Sequence, residues 1–180
     1  MISIPKHPKT ISLTVERQWD GSPCPEARVR AQVVLGQVEE GIRVRVEAPV
    51  LKDARIPNAP TGSRVENLWE YDVVEVFLVG PGHEYLELEL GAGGHWLLLS
   101  FDEVRVRRNE HVNLVLPVQW KRSEDSWSSE TVIPWPLFPK PLRAMNAFVI
   151  AQGLFLAYSP VPGTTPDFHQ PDAYPPATLG

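Results

Sequence analysis

Apolar side chains recur at every second position along most of this chain. Ile11, Leu13 and Val15 alternate with Ser12, Thr14 and Glu16. Val29, Ala31, Val33 and Leu35 alternate with Arg28, Arg30 and Gln32, and Ile42, Val44, Val46 and Ala48 with Arg43, Arg45 and Glu47. Successive side chains of an extended strand point to opposite faces, so this period lines one face of a sheet with apolar groups. No stretch of ten or more residues carries the 3.6-residue period of an amphipathic helix. Proline makes the same argument: there are 19 in 180 residues. Helix interiors exclude proline, and sheets admit it only at edges and ends. Its clusters at 57–60, 134–141 and 160–176 are therefore expected in loops, with room for one helical turn near Pro136–Phe138.

Further strands fit residues 73–79, 85–90, 95–101, 103–108, 111–119, 126–133, 145–152 and 154–158. Gly80-Pro81-Gly82 and Gly91-Ala92-Gly93-Gly94 sit at hairpin distance between neighbouring strands. The run Trp96–Leu99 is apolar throughout, which predicts a central strand covered on both faces. These signals predict one all-β domain over residues 1–180, an antiparallel β-sandwich with jelly-roll or immunoglobulin-like layering. About ten strands and little helix are expected. A chain of this length buries about 70% of its unfolded surface. Phe168 and Tyr174 are expected to anchor the proline-rich C-terminal segment as ordered loop.

Composition narrows the function classes. A single cysteine, Cys24, excludes an internal disulfide framework. The net charge of −5 argues against nucleic acid as a partner. The basic run Val104–Arg108 alternates as a solvated or salt-bridged strand face would. MISIPKHPKT has neither the apolar core nor the small-residue cleavage pattern of a signal peptide, and no apolar stretch reaches the ~18 residues of a membrane span. No membrane partner and a cytoplasmic location are expected. There is no nucleophile elbow, P-loop or dinucleotide fingerprint. The five histidines show no metal-ligand spacing and the acidic loops no ordered calcium spacing. No cofactor or metal is expected.

The stretch with chemical content is NLWEYDVVEVFLV, residues 67–79. Glu75 sits within its valines, and a carboxylate buried without a partner must be paired or protonated. Read as a strand, 67–79 puts Trp69, Tyr71, Val73, Glu75 and Phe77 on one face. On the next strand Tyr85, Glu87 and Glu89 share a face. Simple hairpin register gathers these aromatics and carboxylates together. A sugar ring packs its C–H face on an aromatic side chain and donates its hydroxyls to carboxylates, so the pattern suits a carbohydrate. Plainer readings stand beside this one. Glu87 and Glu89 read as a solvated acidic face, Trp69 as core, and Glu75 as the partner of Arg105 or Arg107. His169 reads as a residue satisfying backbone groups of its loop. Glu87 and Glu89, at i and i+2, lie about 6.5–7 Å apart at Cα. That falls in the ~5–9.5 Å range of glycosidase pairs, so a glycan-processing enzyme using Asp72, Glu75, Glu87 and Glu89 is the alternative.

Five segments in order, NLWEYDVVEVFLV, YLELELGAGGHWLLL, WSSETVIPWPLF, MNAFVIAQG and AYSPVPGTTPDFHQPDAY, resemble the DOMON-like sandwich superfamily. Within it the order is similar to family-nine carbohydrate-binding modules and to a related group of free-standing proteins. The matching residues are Trp69, Asp72, Val74-Glu75-Val76-Phe77, Tyr158-Ser159-Pro160 and Phe168-His169-Gln170-Pro171 ahead of Tyr174. The resemblance implies a non-catalytic sandwich that holds a mono- or oligosaccharide between two aromatic rings. Trp69 and Tyr158 would be the clamp, and Glu75 would accept sugar hydroxyls. Asp72, Gln152 and His169 complete the implied ligand-binding set. Two departures accompany it. Tyr158 stands where sugar-binding members carry tryptophan, and Leu154–Ala157 is apolar where hydrogen-bonding groups would serve. A protein-interaction domain that has kept the fold and lost the sugar site is the third reading.

Overall fold

The computed structural model describes residues 1–180. Fourteen strands run in chain order. They are β1 (Ile2–Ile4), β2 (Ile11–Val15), β3 (Arg17–Gln18), β4 (Ala31–Gln37), β5 (Gly41–Pro49), β6 (Val73–Val79) and β7 (Tyr85–Gly91). They continue as β8 (Trp96–Glu103), β9 (Val106–Asn109), β10 (Gln119–Arg122), β11 (Ser126–Pro134), β12 (Ala144–Ala151), β13 (Leu154–Ala157) and β14 (Ala177–Leu179). The helices are single 3-10 turns at Leu68–Glu70 and Pro171–Ala173. The Pro136–Phe138 segment forms consecutive turns instead, closed by Leu137 N–H to Pro134 O and Phe138 N–H to Trp135 O.

Two antiparallel sheets make the sandwich. One has five strands in the order β10-β11-β5-β4-β2, the other seven in the order β3-β13-β12-β6-β7-β8-β9. The alternation at 11–15, 31–35 and 42–48 sends Leu13, Val33, Leu35, Val44 and Val46 inward, where they meet Val74, Val76, Leu86, Leu88, Leu98 and Met145 of the larger sheet. The outward residues of the smaller sheet are polar and pair across strands, Arg43 with Glu130 at 3.6 Å and Ser12 with Gln32 at 3.0 Å. That face is solvated, as a half-buried antiparallel sheet predicts.

The larger sheet behaves differently, because both its faces are covered. Its outer face carries a second apolar cluster that includes Phe77, Tyr85, Leu97, Leu99, Phe101 and Phe148. The segment after β13 lies over it. Phe168 stacks on Phe148 with centroids 4.1 Å apart, and the Tyr174 hydroxyl donates to the Phe168 carbonyl. Phe168 and Tyr174 are buried, so the C-terminal segment is anchored where the sequence predicted.

The strands that sequence did not indicate are short. β1 and β14 pair in parallel, Ile2 with Ala177 and Ile4 with Leu179. The Gln37 amide donates to the carbonyls of Ile4 (2.7 Å) and Gly180 (2.9 Å) and ties both ends to β4. Three residues are too few to show a period. The strand expected over 111–119 is irregular up to Val118, and β10 begins at Gln119. Trp96–Leu99 is buried on both faces as expected, but β8 lies next to the edge strand β9 and is not central. No helix is long and apolar enough to cross a membrane.

Candidate functional site

Hairpin register builds the centre of the site. β6 pairs with β7 so that Glu75 lies opposite Glu89 and Phe77 opposite Glu87. All three carboxyls therefore share the outer face, and one oxygen from each lies within 4.8 Å of the others. Their flanks are apolar: Phe148 beside Glu75, Leu99 beside Glu87 and Leu97 beside Glu89. Exposure is 2% for Glu75, 3% for Glu87 and 0% for Glu89. The solvated acidic face expected for Glu87 and Glu89 is thus overturned. The C-terminal segment and the surrounding aromatics exclude water from a face that the β7 alternation alone marks as polar.

Neither expected arginine pairs with Glu75. Arg105 binds Asp167 at 2.8 Å, and Arg107 binds Glu66 and Glu110 at 3.1 and 2.9 Å. Arg108 reaches Glu84 at 2.9 Å, so the basic run is a salt-bridged face as expected. Both oxygens of Glu89 and Oε2 of Glu87 are buried without a hydrogen-bond partner. Burial, and then the charge of Glu87, push the Glu75 carboxyl well above the usual carboxylate range. Burial, followed by Glu75 and Glu87, does the same to Glu89. Glu87 is pushed up by burial to about 7, with Glu89, Arg107 and Arg105 acting in the opposite sense. Like charges this close in apolar surroundings cannot all ionise, so at neutral pH the cluster both accepts and donates hydrogen bonds. These carboxyls are also the residues with oxygen-donor spacing for a cation, a capacity the sequence did not signal.

His169 stands over the cluster and packs edge-on against Phe77 and Phe101, both at 5.4 Å between centroids. The Tyr85 hydroxyl accepts the Arg105 backbone N–H (3.0 Å), so its own proton turns to His169 Nδ1 (2.8 Å). That contact leaves the histidine proton on Nε2, which lies 3.9 Å from Glu87 Oε2. Burial and then Arg105 lower the His169 pKa to about 4, so the ring is neutral at pH 7. The ring is held by Tyr85; among backbone groups, its own N–H donates to Asp167 Oδ1 at 3.0 Å.

An open cleft of about 400 Å³ lies above these residues. Glu75 and Glu87 reach it from the sheet; Trp69 and Phe155 contribute aromatic surface; Arg105, Arg107, Asp167 and His169 supply polar groups. Trp69 comes from the 3-10 turn and not from a strand, since Asn67 takes φ 58° and β6 starts only at Val73. The extended-strand argument for Trp69 is therefore corrected, although the turn still delivers its ring to the cleft. The Arg107 guanidinium lies 5.6 Å from that ring's centroid.

Of the six residues expected in the ligand set, Trp69, Glu75 and His169 meet in this cleft. Asp72, Gln152 and Tyr158 lie elsewhere. Asp72 lines a separate cavity of about 30 Å³ with Val74, Val149 and Trp127. Burial raises its pKa, and the backbone amides of Arg55 and Gln152 work against the rise. Gln152 is exposed in the β12–β13 turn with φ 52°. Tyr158 is 38% exposed and follows Ala157, which faces the outer cluster, so alternation carries the tyrosine out of it. Phe155, two residues before Ala157, shares the outer face and lines the cleft instead. The parity of Leu154–Ala157 held that information. Arg105 and Arg107, read as ion-pair partners, are also cleft residues.

No family model matches the chain. Curated relatives align over most of it. A rat protein, UPF0462 protein C4orf33 homolog, is 32% identical over 174 residues, covering 90% of this chain and 85% of the relative. The human UPF0462 protein C4orf33 is 31% identical over 167 residues, covering 86% and 81%. Among solved structures, a Bacteroides uniformis protein described provisionally as carbohydrate-binding superposes with a TM-score of 0.72. It shares 18% identity and covers 96% of this chain and 86% of its own, a likeness of fold. By the extent and identity of its alignment with the rat and human proteins, the chain belongs to the UPF0462 family.

Proposed function

We propose that this protein binds a carbohydrate in the cleft on the outer face of the seven-stranded sheet. One observation carries the reading: Trp69 and Phe155 line the same cleft as two buried carboxyls, Glu75 and Glu87. An aromatic surface takes the C–H face of a sugar ring, and the carboxyls take its hydroxyls. A water-poor site strengthens those hydrogen bonds. A cleft of about 400 Å³ is of the size that holds a small ligand, since such sites run from about 300 to 1,000 Å³. The motif order resembling family-nine carbohydrate-binding modules and the fold shared with a provisionally carbohydrate-binding protein support the reading. Phe155 takes the place the resemblance gave to Tyr158. Saturation-transfer NMR with a panel of monosaccharides and disaccharides tests it. Saturation of sugar ring protons is the expected result; a folded protein that saturates no sugar in the panel would refute it.

A further inference from the structure

Binding a sugar needs hydrogen-bond acceptors, and two carboxylates would supply them. A third carboxyl adjoins these two without lining the cleft. Glu89 is fully buried beside Glu75 and Glu87, and its oxygens have no hydrogen-bond partner outside this cluster. Three carboxyls within 4.8 Å of one another share protons, because simultaneous ionisation in apolar surroundings is too costly. The cleft therefore presents a carboxylate and a carboxylic acid side by side.

Their placement restricts the chemistry. Glu75 on β6 and Glu87 on β7 project from one face of one sheet, so they approach a bound sugar from the same side. Glycosidases set their two carboxyls on either side of the bond they cleave. An adjacent acid and base suits instead two oxygens attached to a single carbon. In a reducing sugar these are the anomeric hydroxyl and the ring oxygen. Arg105 and Arg107 line the cleft near Glu87 and favour its charged form, whereas Glu75 has no ion pair with either.

Resting on the reading of the cleft as a sugar site, we propose that it interconverts the α and β anomers of a reducing monosaccharide, with Glu87 as base and Glu75 as acid. Glu87 takes the proton of the anomeric hydroxyl, and that O–H electron pair becomes the second bond of the C1 carbonyl. The bond from C1 to the ring oxygen breaks with both electrons going to the ring oxygen, which takes the proton of Glu75. The open-chain aldehyde turns about C1–C2 and closes on its other face by the reverse transfers. One proton is accepted and one given in each direction, so no co-reactant is consumed.

The test follows freshly dissolved α-D-glucose and α-D-galactose by proton NMR, with saturation transfer recorded in the same tubes. Wild-type protein is expected to speed anomerisation above the buffer rate. E75Q and E87Q should each lower the protein-dependent rate about 100-fold at saturating sugar, the order of a general acid–base contribution. Melting curves establish that each variant is folded, and either variant alone suffices if the other is not. Wild-type protein that saturates either sugar yet leaves the rate at the buffer value overturns this inference and leaves the binding reading standing. Absence of both saturation and acceleration overturns this inference together with the binding reading for these sugars. Acceleration that survives in E75Q and E87Q overturns the acid–base assignment. Acceleration abolished by EDTA and restored by Mn²⁺ overturns it in favour of a metal centre.

Discussion

Glu75 and Glu89 face each other directly across the β6–β7 hairpin, both buried, with Phe148 and Leu97 on their outer flanks. Two carboxyls so placed are stable only while they hold protons between them, with Glu87 as the third member. This arrangement ties the cleft chemistry to pH.

The linkage has a definite sign. Glu89 takes its proton more tightly in the folded state than its ordinary value of 4.5. Below that value both states are protonated and the group has no effect on stability. As pH rises above it, the unfolded chain ionises first, so stability falls. Glu89→Gln removes this penalty. Its melting temperature relative to wild type should be lowest near pH 4 and rise through pH 7 and beyond. The shift follows the scale of about 2–4 °C per kcal/mol for chains of this size. Melts of both proteins at matched pH check it, and a difference independent of pH would contradict the buried cluster.

Tyr85 serves two partners at once, accepting from Arg105 N–H and donating to His169 Nδ1. Tyr85→Phe leaves both without their partner. A stranded buried polar group costs about 1–3 kcal/mol, which corresponds to a melting point lower by roughly 2–12 °C. The ¹⁵N shift of His169 Nδ1 should also move, since its hydrogen bond is gone. An unchanged ring spectrum would show that Tyr85 does not fix the tautomer.

The Arg105–Asp167 pair shapes the cleft rim without holding the fold. Its side chains are 57% and 37% exposed, and exposed pairs contribute about 0–1 kcal/mol. Asp167→Asn should therefore lower the melting point by less than about 4 °C, with an effect that shrinks as salt is added. A larger, salt-independent loss would mean that the rim is part of the core.

Alternation made much of this molecule legible before the structure. The strands β2, β4, β5, β7 and β11 follow the period of two, β6 shows as a short apolar run, and the register of Glu75 against the β7 carboxyls follows from a short glycine-proline turn. What alternation cannot show is a second cover. Tyr85-Leu86-Glu87-Leu88-Glu89 reads as half-buried in isolation. It is buried on both faces because residues 160–174, an irregular segment with no period, fold back over it. The same limit applies to Trp69, delivered by a turn that starts at a positive φ at Asn67. Phe155 was accessible to parity: it shares a face with Ala157, whereas Tyr158 does not. The motif resemblance favoured the tyrosine, and local geometry favours the phenylalanine.

Calorimetric titration of mono- and disaccharides into wild-type, Trp69→Ala and Tyr158→Ala proteins tests the central claim most directly. The account predicts saturable heat with the wild type and unchanged affinity in Tyr158→Ala. It also predicts a loss of at least about tenfold, or 1.4 kcal/mol, in Trp69→Ala. Sugar binding that survives Trp69→Ala and is lost in Tyr158→Ala would contradict it, moving the site off this face of the sheet.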